Sequence, residues 1–185
     1  MKRILLIIAL VFASAVMFGQ KFGHINTAEL VQLCPEADQA REALAAVSKE
    51  FQDTYQDMAN ELNKKYEAYQ QKASTWTASI KESKEKELTE LQQRIQEFYA
   101  NAQQEMQVAQ QEKFQPVYEK ASKVIENLAK KHGLVYVFEA GSLLYIDPAQ
   151  SIDLTNEGRK EMGVKEGRTL EALQQEIAAQ QQAAE

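Results

Sequence analysis

The feature that most constrains this chain is a long central stretch without glycine. No glycine occurs between Gly23 and Gly133, and the stretch is rich in Glu, Lys, Gln and Ala, which favour helix. The helices of compact domains are much shorter than this. At about 1.5 Å per residue, Glu36 to Lys131 would form a rod of roughly 145 Å or a folded-back pair of helices of roughly 70 Å. Part of the chain must therefore protrude from any compact body.

Apolar residues recur in this stretch at steps of three and four, as on one face of a helix. The first half carries Phe51, Tyr55, Met58, Leu62, Tyr66, Tyr69, Ala73, Trp76 and Ile80. The second half carries Leu88, Leu91, Ile95, Phe98, Ala102, Met106, Ala109, Val117, Ala121, either Val124 or Ile125, and Leu128. The two stripes can face each other in a coiled-coil-like hairpin spanning residues 36–132.

The least apolar window, 81–87, is the predicted reversal point. Neither Gly nor Pro marks it, so a straight rod is the alternative. Short strand-like segments stand at both ends of the stretch, and each is too short to be stable alone. A hairpin returns them to the same place. Pro116 is expected to kink the second arm or divide it in two.

Before the hairpin, Lys21 to Asn26 predicts a short strand that enters a turn or short helix. Pro35 falls at the first position of the next helix, where proline is favoured. At the end of the second arm of the hairpin, Gly133 follows a cationic last turn and predicts a left-handed helix cap.

After Gly133, the apolar runs 134–138 and 143–147 predict a β-hairpin. Thr155 is predicted to cap a short helix over 156–162. The predicted body, residues 21–34 and 133–165, is too small to hold a core without help from other subunits. The sequence therefore predicts a homo-oligomer. The tail, 166–185, is either an amphipathic helix or disordered.

Residues 1–20 have the order of a cleavable secretory signal peptide. Lys2 and Arg3 precede an apolar run, and small and mixed residues lead to Gly19, with cleavage expected near Gln20. An uncleaved amphipathic anchor is the alternative. The apolar run is too short to be a confident membrane span.

The remaining composition excludes several function classes. The net charge of −6 becomes −8 once Lys2 and Arg3 are removed, which leaves no basic field for nucleic acid. Cys34 is the single cysteine, so no internal disulfide is possible; we expect it to be buried, with an intersubunit disulfide or a reactive thiol as alternatives. His24 and His132 lack neighbours in metal-ligand spacing. Phosphate loops, nucleophile elbows and zinc-protease motifs are missing from the sequence, so we expect no catalytic residue, no cofactor and no metal.

The chain resembles the Skp/OmpH family of periplasmic chaperones over almost all of residues 21–164. The similarity lies in the signal peptide, the glycine-free arms and several short segments. Those segments are Phe22 to Asn26, Cys34 to Ala37, Gln115 to Lys120, Ala129 to Gly133, Tyr136 to Phe138, Leu144 to Pro148 and Asp153 to Thr155. The Pro116 region and the Asp-Leu-Thr segment are the most distinctive.

The resemblance implies a mostly α-helical fold with a small β body. In it, short strands from three subunits form a β-barrel and three helical hairpins hang from it around a cavity. It also implies a holdase that keeps unfolded outer-membrane proteins in that cavity during transit through the periplasm, without nucleotide or metal. Contact of the hairpin tips with anionic membrane is the alternative to simply solvated tips. A structural or adaptor protein of the cell envelope is the alternative function.

Under this resemblance, adaptable aromatic and thioether side chains are candidates for client contact. They are Tyr55, Met58, Tyr66, Tyr69, Trp76, Phe98, Tyr99, Met106 and Phe114. The same stripes have a structural interpretation, since the arms must bury a seam, for which we favour Leu62, Leu88, Leu91 and Ile95. Candidates for the trimer body are Phe22, Ile25, Val135, Val137, Leu144 and Ile146.

Overall fold

The computed structural model describes residues 21–183, so the predicted signal peptide lies outside the described residues. The elements are β1 (Phe22–Ile25), α1 (Thr27–Leu33), α2 (Pro35–Lys72), α3 (Ala78–His132), β2 (Tyr136–Glu139), β3 (Ser151–Asp153), α4 (Thr155–Glu161) and α5 (Leu170–Ala183). One turn of 3-10 helix, Ala140–Ser142, follows β2. The mostly helical fold with a long hairpin and a small strand body confirms the predicted fold class.

The chain divides into two compact units, which are described separately. The hairpin unit comprises residues 36–117 and contains most of α2 and α3. The body unit comprises the described residues up to Pro35 together with residues 118–183.

In the hairpin unit, α2 and α3 lie antiparallel. The ring centroids of Phe51 and Phe98 are 6.2 Å apart, and Lys65 Nζ is 3.5 Å from a carboxylate oxygen of Glu87. Leu91 of the predicted seam is buried, while Leu62, Leu88 and Ile95 are half-buried. The arms therefore share a narrow apolar seam and leave many side chains outside it. Helix α3 continues through Pro116 and is not divided there.

The reversal lies at residues 73–77, not at 81–87 as predicted. Two threonines end one helix and begin the next: the Thr75 hydroxyl donates to the Lys72 carbonyl at 2.7 Å, and the Thr77 hydroxyl accepts from Ile80 N–H at 3.4 Å. A threonine hydroxyl that accepts from the first turn of a helix, as that of Thr77 does, is a common N-cap. The charged window is helical because Glu and Lys are good helix formers, and Lys84 pairs with Glu87 at 2.7 Å one turn away.

The body unit contains a three-stranded sheet in the order β2-β1-β3. Both pairings of β1 are parallel, with Phe22 opposite Tyr136 and Ser151. The strand predicted at the start of the chain is therefore confirmed, and it is the central strand. Asn26 caps α1 through its side-chain oxygen, which accepts from Glu29 N–H at 3.3 Å.

The predicted β-hairpin of 134–138 and 143–147 is wrong. After β2, the Glu139 carboxylate accepts from Gly141 N–H at 3.3 Å, which favours the 3-10 turn, and residues 143–147 form no strand within the subunit. The chain instead returns as β3 on the opposite side of β1. Parallel pairing requires such a crossover, whereas a tight turn allows only antiparallel pairing.

Thr155 had been predicted to cap α4, but it is the first residue of that helix. Its hydroxyl accepts instead from Asn26 N–H at 3.1 Å, and its own N–H donates to the Asp153 carboxylate at 2.8 Å. Asp153 therefore takes the place of a capping side chain. Thr155 links the start of α4 to the end of β1.

Helices α1 and α4 pack on one face of the sheet. The approach of α4 depends on Gly158, because a Cβ there would lie 2.9 Å from Leu30 Cδ2 and 3.0 Å from Ile25 Cδ1. Cys34 is buried as expected, with its sulfur 3.6 Å from the Val31 carbonyl oxygen. The largest fully buried side chains of the body are Ile25, Leu30, Leu33, Leu128, Leu154 and Met162.

The tail had been expected to be either an amphipathic helix or disordered, and residues Leu170–Ala183 of it form the helix α5. Leu173 is buried, and Arg168 Nη1 donates to the Leu33 carbonyl at 3.2 Å. Arg159 pairs with Glu29 and also donates to the Arg168 carbonyl at 2.5 Å. The segment after α4 is therefore attached to α1 by two arginines.

Candidate binding surfaces

Four of the nine predicted client-contact residues come together in the hairpin unit. Tyr55 of α2 lies against Tyr99 of α3, with ring centroids 6.4 Å apart, and Phe98 and Met106 line the same open groove. The groove has a volume of about 480 Å³. Its tyrosines remain accessible, since Tyr55 is 43% exposed and Tyr99 57% exposed. Phe51, whose role in the groove we had not singled out, packs edge-on against Phe98.

A second cluster lies beside the reversal and involves Tyr69 and Trp76. Their ring centroids are 5.8 Å apart in an edge arrangement, and Trp76 is half-buried. The Tyr69 hydroxyl donates to the Glu85 carboxylate. This hydrogen bond raises the pKa of Tyr69 to about 12, because it favours the protonated phenol. Trp76 thus has a structural contact in addition to its remaining accessible surface.

The other three candidates lie elsewhere on the hairpin helices. Tyr66 is 52% exposed on α2, and Met58 is half-buried between it and the groove. Phe114 is half-buried on α3. The nine candidates therefore do not all line one groove.

The body unit presents an aromatic face on the side of the sheet away from α1 and α4. Phe22 is stacked on Tyr136 at a centroid distance of 6.3 Å and lies 6.2 Å from Phe138. Tyr136 is 57% exposed and Phe138 is 43% exposed. Aromatic residues in register on neighbouring parallel strands therefore form an apolar surface that the subunit does not cover.

The predicted body residues fall into two groups. Ile25 is buried in the core of the subunit, because residues of β1 alternate between the two faces of the sheet. The other five have accessible surface: Phe22, Val137 and Ile146 are half-buried, Val135 is exposed and Leu144 is fully exposed. Sequence reasoning had not singled out Tyr136, Phe138, Leu143, Tyr145 and Ile152, which are also exposed. The alternation of Tyr136 and Phe138 within β2 was the available signal.

Two carboxylates of the body, those of Glu139 and Asp153, accept hydrogen bonds from the first residues of α1 and α4. Burial raises the pKa of Glu139, but hydrogen bonds from the Thr27 hydroxyl, Thr27 N–H and Gly141 N–H outweigh it, so the pKa is lowered. Burial likewise opposes the lowering of the Asp153 pKa, which follows from the hydrogen bonds of Thr155 and from nearby His24. His24 Nδ1 is 2.8 Å from Ser151 Oγ, so this histidine is engaged between β1 and β3.

At the end of α3, Lys131 and His132 both contact Glu157 of α4. The His132 Nε2 to Glu157 Oε2 distance is 2.7 Å. The hydrogen bond from Lys131 and then that from His132 lower the pKa of Glu157. Asp153 likewise lies near His24. Both histidines therefore have a carboxylate neighbour that is distant in the sequence.

Within residues 21–183, no group of three or more His, Cys, Asp or Glu side chains is placed to hold a metal ion. Over the same residues, every helix is too short or too polar to cross a membrane. The groove of the hairpin and the sheet face of the body described above are apolar and aromatic.

A long helical hairpin joined to a small strand body is the fold of OmpH-like outer membrane proteins, and the model of that family matches residues 21–162. The chain belongs to this family. It is 29% identical over 164 residues to an uncharacterised protein of Aquifex aeolicus (strain VF5), covering 88% of this chain and 96% of that protein. Among solved structures, an OmpH-like protein of Caulobacter crescentus, provisionally assigned as an outer membrane chaperone, matches with a TM-score of 0.69 and 13% identity. The match covers 82% of this chain and 89% of that one. Helix α5 follows the segment that the family model matches.

Proposed function

We propose that the protein is a periplasmic holdase chaperone, which binds unfolded outer-membrane proteins and keeps them from aggregating in transit. The observation that carries the proposal is the exposure of large aromatic side chains along a long hairpin in a member of this family. Tyr55, Tyr66 and Tyr99 are each at least 43% exposed. A hairpin that served only as a spacer would gain nothing from exposing them.

The chemistry of the clients explains why such a surface is useful. Unfolded barrel strands expose alternating apolar side chains and unpaired backbone groups, and these associate unless they are sequestered. Tyrosine supplies a large apolar ring together with a hydroxyl that remains satisfied by water. Contacts of this kind are individually weak, and their number makes the whole complex tight.

We further propose that three subunits associate through their body units and that their strands complete a β-barrel. The aromatic face of Phe22, Tyr136 and Phe138 supports this, because patches of this kind on soluble proteins mark sites of association. The apolar segment 143–146, with Leu144 fully exposed, also has no partner strand within the subunit. Strands β2 and β3 are the two edges of the sheet and offer unpaired backbone groups to a neighbouring copy.

The decisive experiment dilutes a urea-unfolded outer-membrane barrel into buffer with the protein lacking residues 1–20. The mass of the soluble species is then measured by light scattering after size exclusion. We expect a peak of three subunits that shifts to three subunits plus one client. If the client precipitates while the protein elutes unchanged, the holdase proposal fails and the adaptor function replaces it. A soluble client complex with a different subunit number would contradict only the trimer.

A further inference from the structure

We propose that the groove between α2 and α3 is a discrete subsite for uncharged, large apolar side chains of an extended polypeptide. This inference rests on the proposed function and deepens it, since it assigns one place on the hairpin where a client strand is held. The groove lies where Phe51 and Tyr55 of α2 face Phe98, Tyr99 and Met106 of α3.

The aromatic packing in the groove leaves the rings partly accessible. Phe51 and Phe98 meet edge-on, with an interplanar angle of 82°, and so present both a ring face and a ring edge. Tyr55 and Tyr99 are tilted by 60° and are both exposed. Aromatic side chains of a ligand prefer such offset and edge arrangements. The Met106 thioether adds an adaptable apolar wall.

The lining of the groove is neutral in a chain that carries a net charge of −6. None of its nine lining residues is charged, whereas Asp53 beside it is paired with Lys49 at 3.3 Å. Three glutamines, Gln52, Gln103 and Gln107, complete the lining. An amide has both donors and acceptors, as the backbone of an extended strand requires. The chemistry therefore matches an uncharged strand segment and disfavours a charged one, which would lose hydration without gaining a partner.

The dimensions also match a strand. The volume of about 480 Å³ falls within the range of ligand-binding clefts. Phe98 to Met106 spans about two helical turns, roughly 12 Å, which is the length of about four residues of extended chain. Successive side chains of a strand alternate in direction, so we expect two apolar side chains at positions i and i+2 to enter the groove.

Two other surfaces of the hairpin fit this ligand less well. A second cavity on α3 is lined by Asn101, Gln104, Glu105, Val108, Ala109 and Glu112, so it carries carboxylates and has no aromatic wall. In the cluster beside the reversal, the Tyr69 hydroxyl is engaged by Glu85. Among the described surfaces of the hairpin, the groove is the one that combines aromatic walls with a neutral polar lining.

The test uses an uncharged ten-residue peptide in which Tyr and Val alternate with Thr and Gln and a benzophenone replaces the central Tyr. After irradiation with the wild-type protein, we expect mass spectrometry to locate cross-links at Phe51 to Tyr55 and Phe98 to Met106. Cross-links spread evenly along both arms, or no binding of the peptide at all, would overturn the inference.

A pair of matched variants supplies the second readout. Ala102 lines the groove, whereas Ala100, two residues away on the same helix, is exposed and outside the lining. Ala102→Lys places a charge in the groove without removing an aromatic ring, and we expect peptide binding about tenfold weaker. Ala100→Lys should bind as the wild type does. Equal binding by the two variants, once circular dichroism shows equal helix content, contradicts the subsite. If Ala102→Lys does not fold, the wild-type cross-link map decides.

Capture of an unfolded barrel is measured separately on the same proteins. Wild-type protein that prevents aggregation but cross-links the peptide elsewhere would refute the subsite and leave the holdase proposal standing. Wild-type protein that binds the peptide in the groove but lets the barrel precipitate would refute the holdase proposal instead.

Discussion

Glu139, at the end of β2, accepts hydrogen bonds from both the N–H and the hydroxyl of Thr27, at the start of α1, although the two residues are 112 positions apart in the chain. The carboxylate thereby lies at the positive end of α1, where a negative charge is favourable. It also accepts from Gly141 N–H at the start of the 3-10 turn. One side chain thus fixes the entry to α1 and the exit from β2.

Glu139→Ala should therefore destabilise the body by about 1–2 kcal/mol, as the loss of a capping side chain does. Because the pKa of Glu139 is lowered on folding, its stabilisation is present above the unfolded-state pKa and is lost as the pH falls through the folded-state value. Urea denaturation of wild type and variant between pH 3 and 7 measures both effects. Glu166→Ala, at an exposed loop position, is the control and should leave the transition unchanged. A difference between Glu139→Ala and wild type that persists undiminished at low pH would contradict the role of the carboxylate charge.

Gly158→Ala tests the close approach of α4 to β1 and α1. The added methyl would lie within 3.0 Å of the buried side chains of Leu30 and Ile25, and overpacking of this kind typically costs about 1–3 kcal/mol, partly offset by the better helix propensity of alanine. We expect a lower midpoint of thermal unfolding. Gly141→Ala is the control, because the added methyl would meet only a Glu139 carboxylate oxygen at 3.7 Å. Equal midpoints would show that the helix shifts at no cost.

Tyr69 should titrate later than the other tyrosines. Its hydrogen bond to Glu85 raises the pKa to about 12, so this contact stabilises the hairpin below the unfolded-state pKa of about 10 and is lost as the pH rises through 12. Absorbance at 295 nm, compared between wild type and Tyr69→Phe, isolates its ionisation. Glu85→Gln should return the midpoint toward the ordinary value. A Tyr69 midpoint near 10 in the wild type would contradict the hydrogen bond.

The proposed association through the aromatic face predicts that Tyr136→Glu dissociates the oligomer. A carboxylate at the centre of an apolar interface would lose its hydration without a partner. Sedimentation velocity should show monomers for this variant. Tyr66→Glu, similarly exposed but on the hairpin, should retain the oligomeric state of the wild type. Dissociation by both variants, or by neither, would argue against the aromatic face as the interface.

Trp76→Ala should reduce client capture only slightly, because holding by many weak contacts tolerates the loss of any one of them. Suppression of barrel aggregation, followed by light scattering, is the measurement. Trp76→Phe retains an aromatic ring against Tyr69 and should behave as the wild type does. Complete loss of activity in Trp76→Ala, at a helix content equal to that of the wild type by circular dichroism, would mean that this site dominates binding and would contradict holding by many weak contacts.

Local signals predicted the elements of this fold better than their connections. Pro35 begins α2 and Gly133, with a φ of 63°, ends α3, as their backbone preferences indicate. The predicted position of the reversal is wrong because charge by itself is not a turn signal, whereas the Thr75 hydroxyl contacts the end of α2 and the Thr77 hydroxyl caps the start of α3. A residue's hydrogen-bond partner, and not its polarity, decides where a helix stops.

The candidate surfaces were predictable only in part. Helical periodicity selected Tyr55, Phe98 and Met106, but it did not indicate that these three would share one groove, since that depends on the register between the arms. Moving the reversal from 81–87 to 73–77 changes every pairing across the hairpin. In the body, the parallel order β2-β1-β3 was not predicted because its partners are distant in the chain, and this hid the aromatic face that Phe22 forms with Tyr136.

The central position of β1 has a consequence for the order in which the molecule acquires its structure. His24 of β1 and Ser151 of β3 are joined by a hydrogen bond across 127 residues, while the hairpin between them consists of local helices. Local helices form quickly, whereas strand pairings of such sequence separation form slowly. We therefore expect the body to close last, after the hairpin helices have formed. Until then the chain carries unpaired strands of its own and is itself prone to aggregation, as are the clients that we propose it protects.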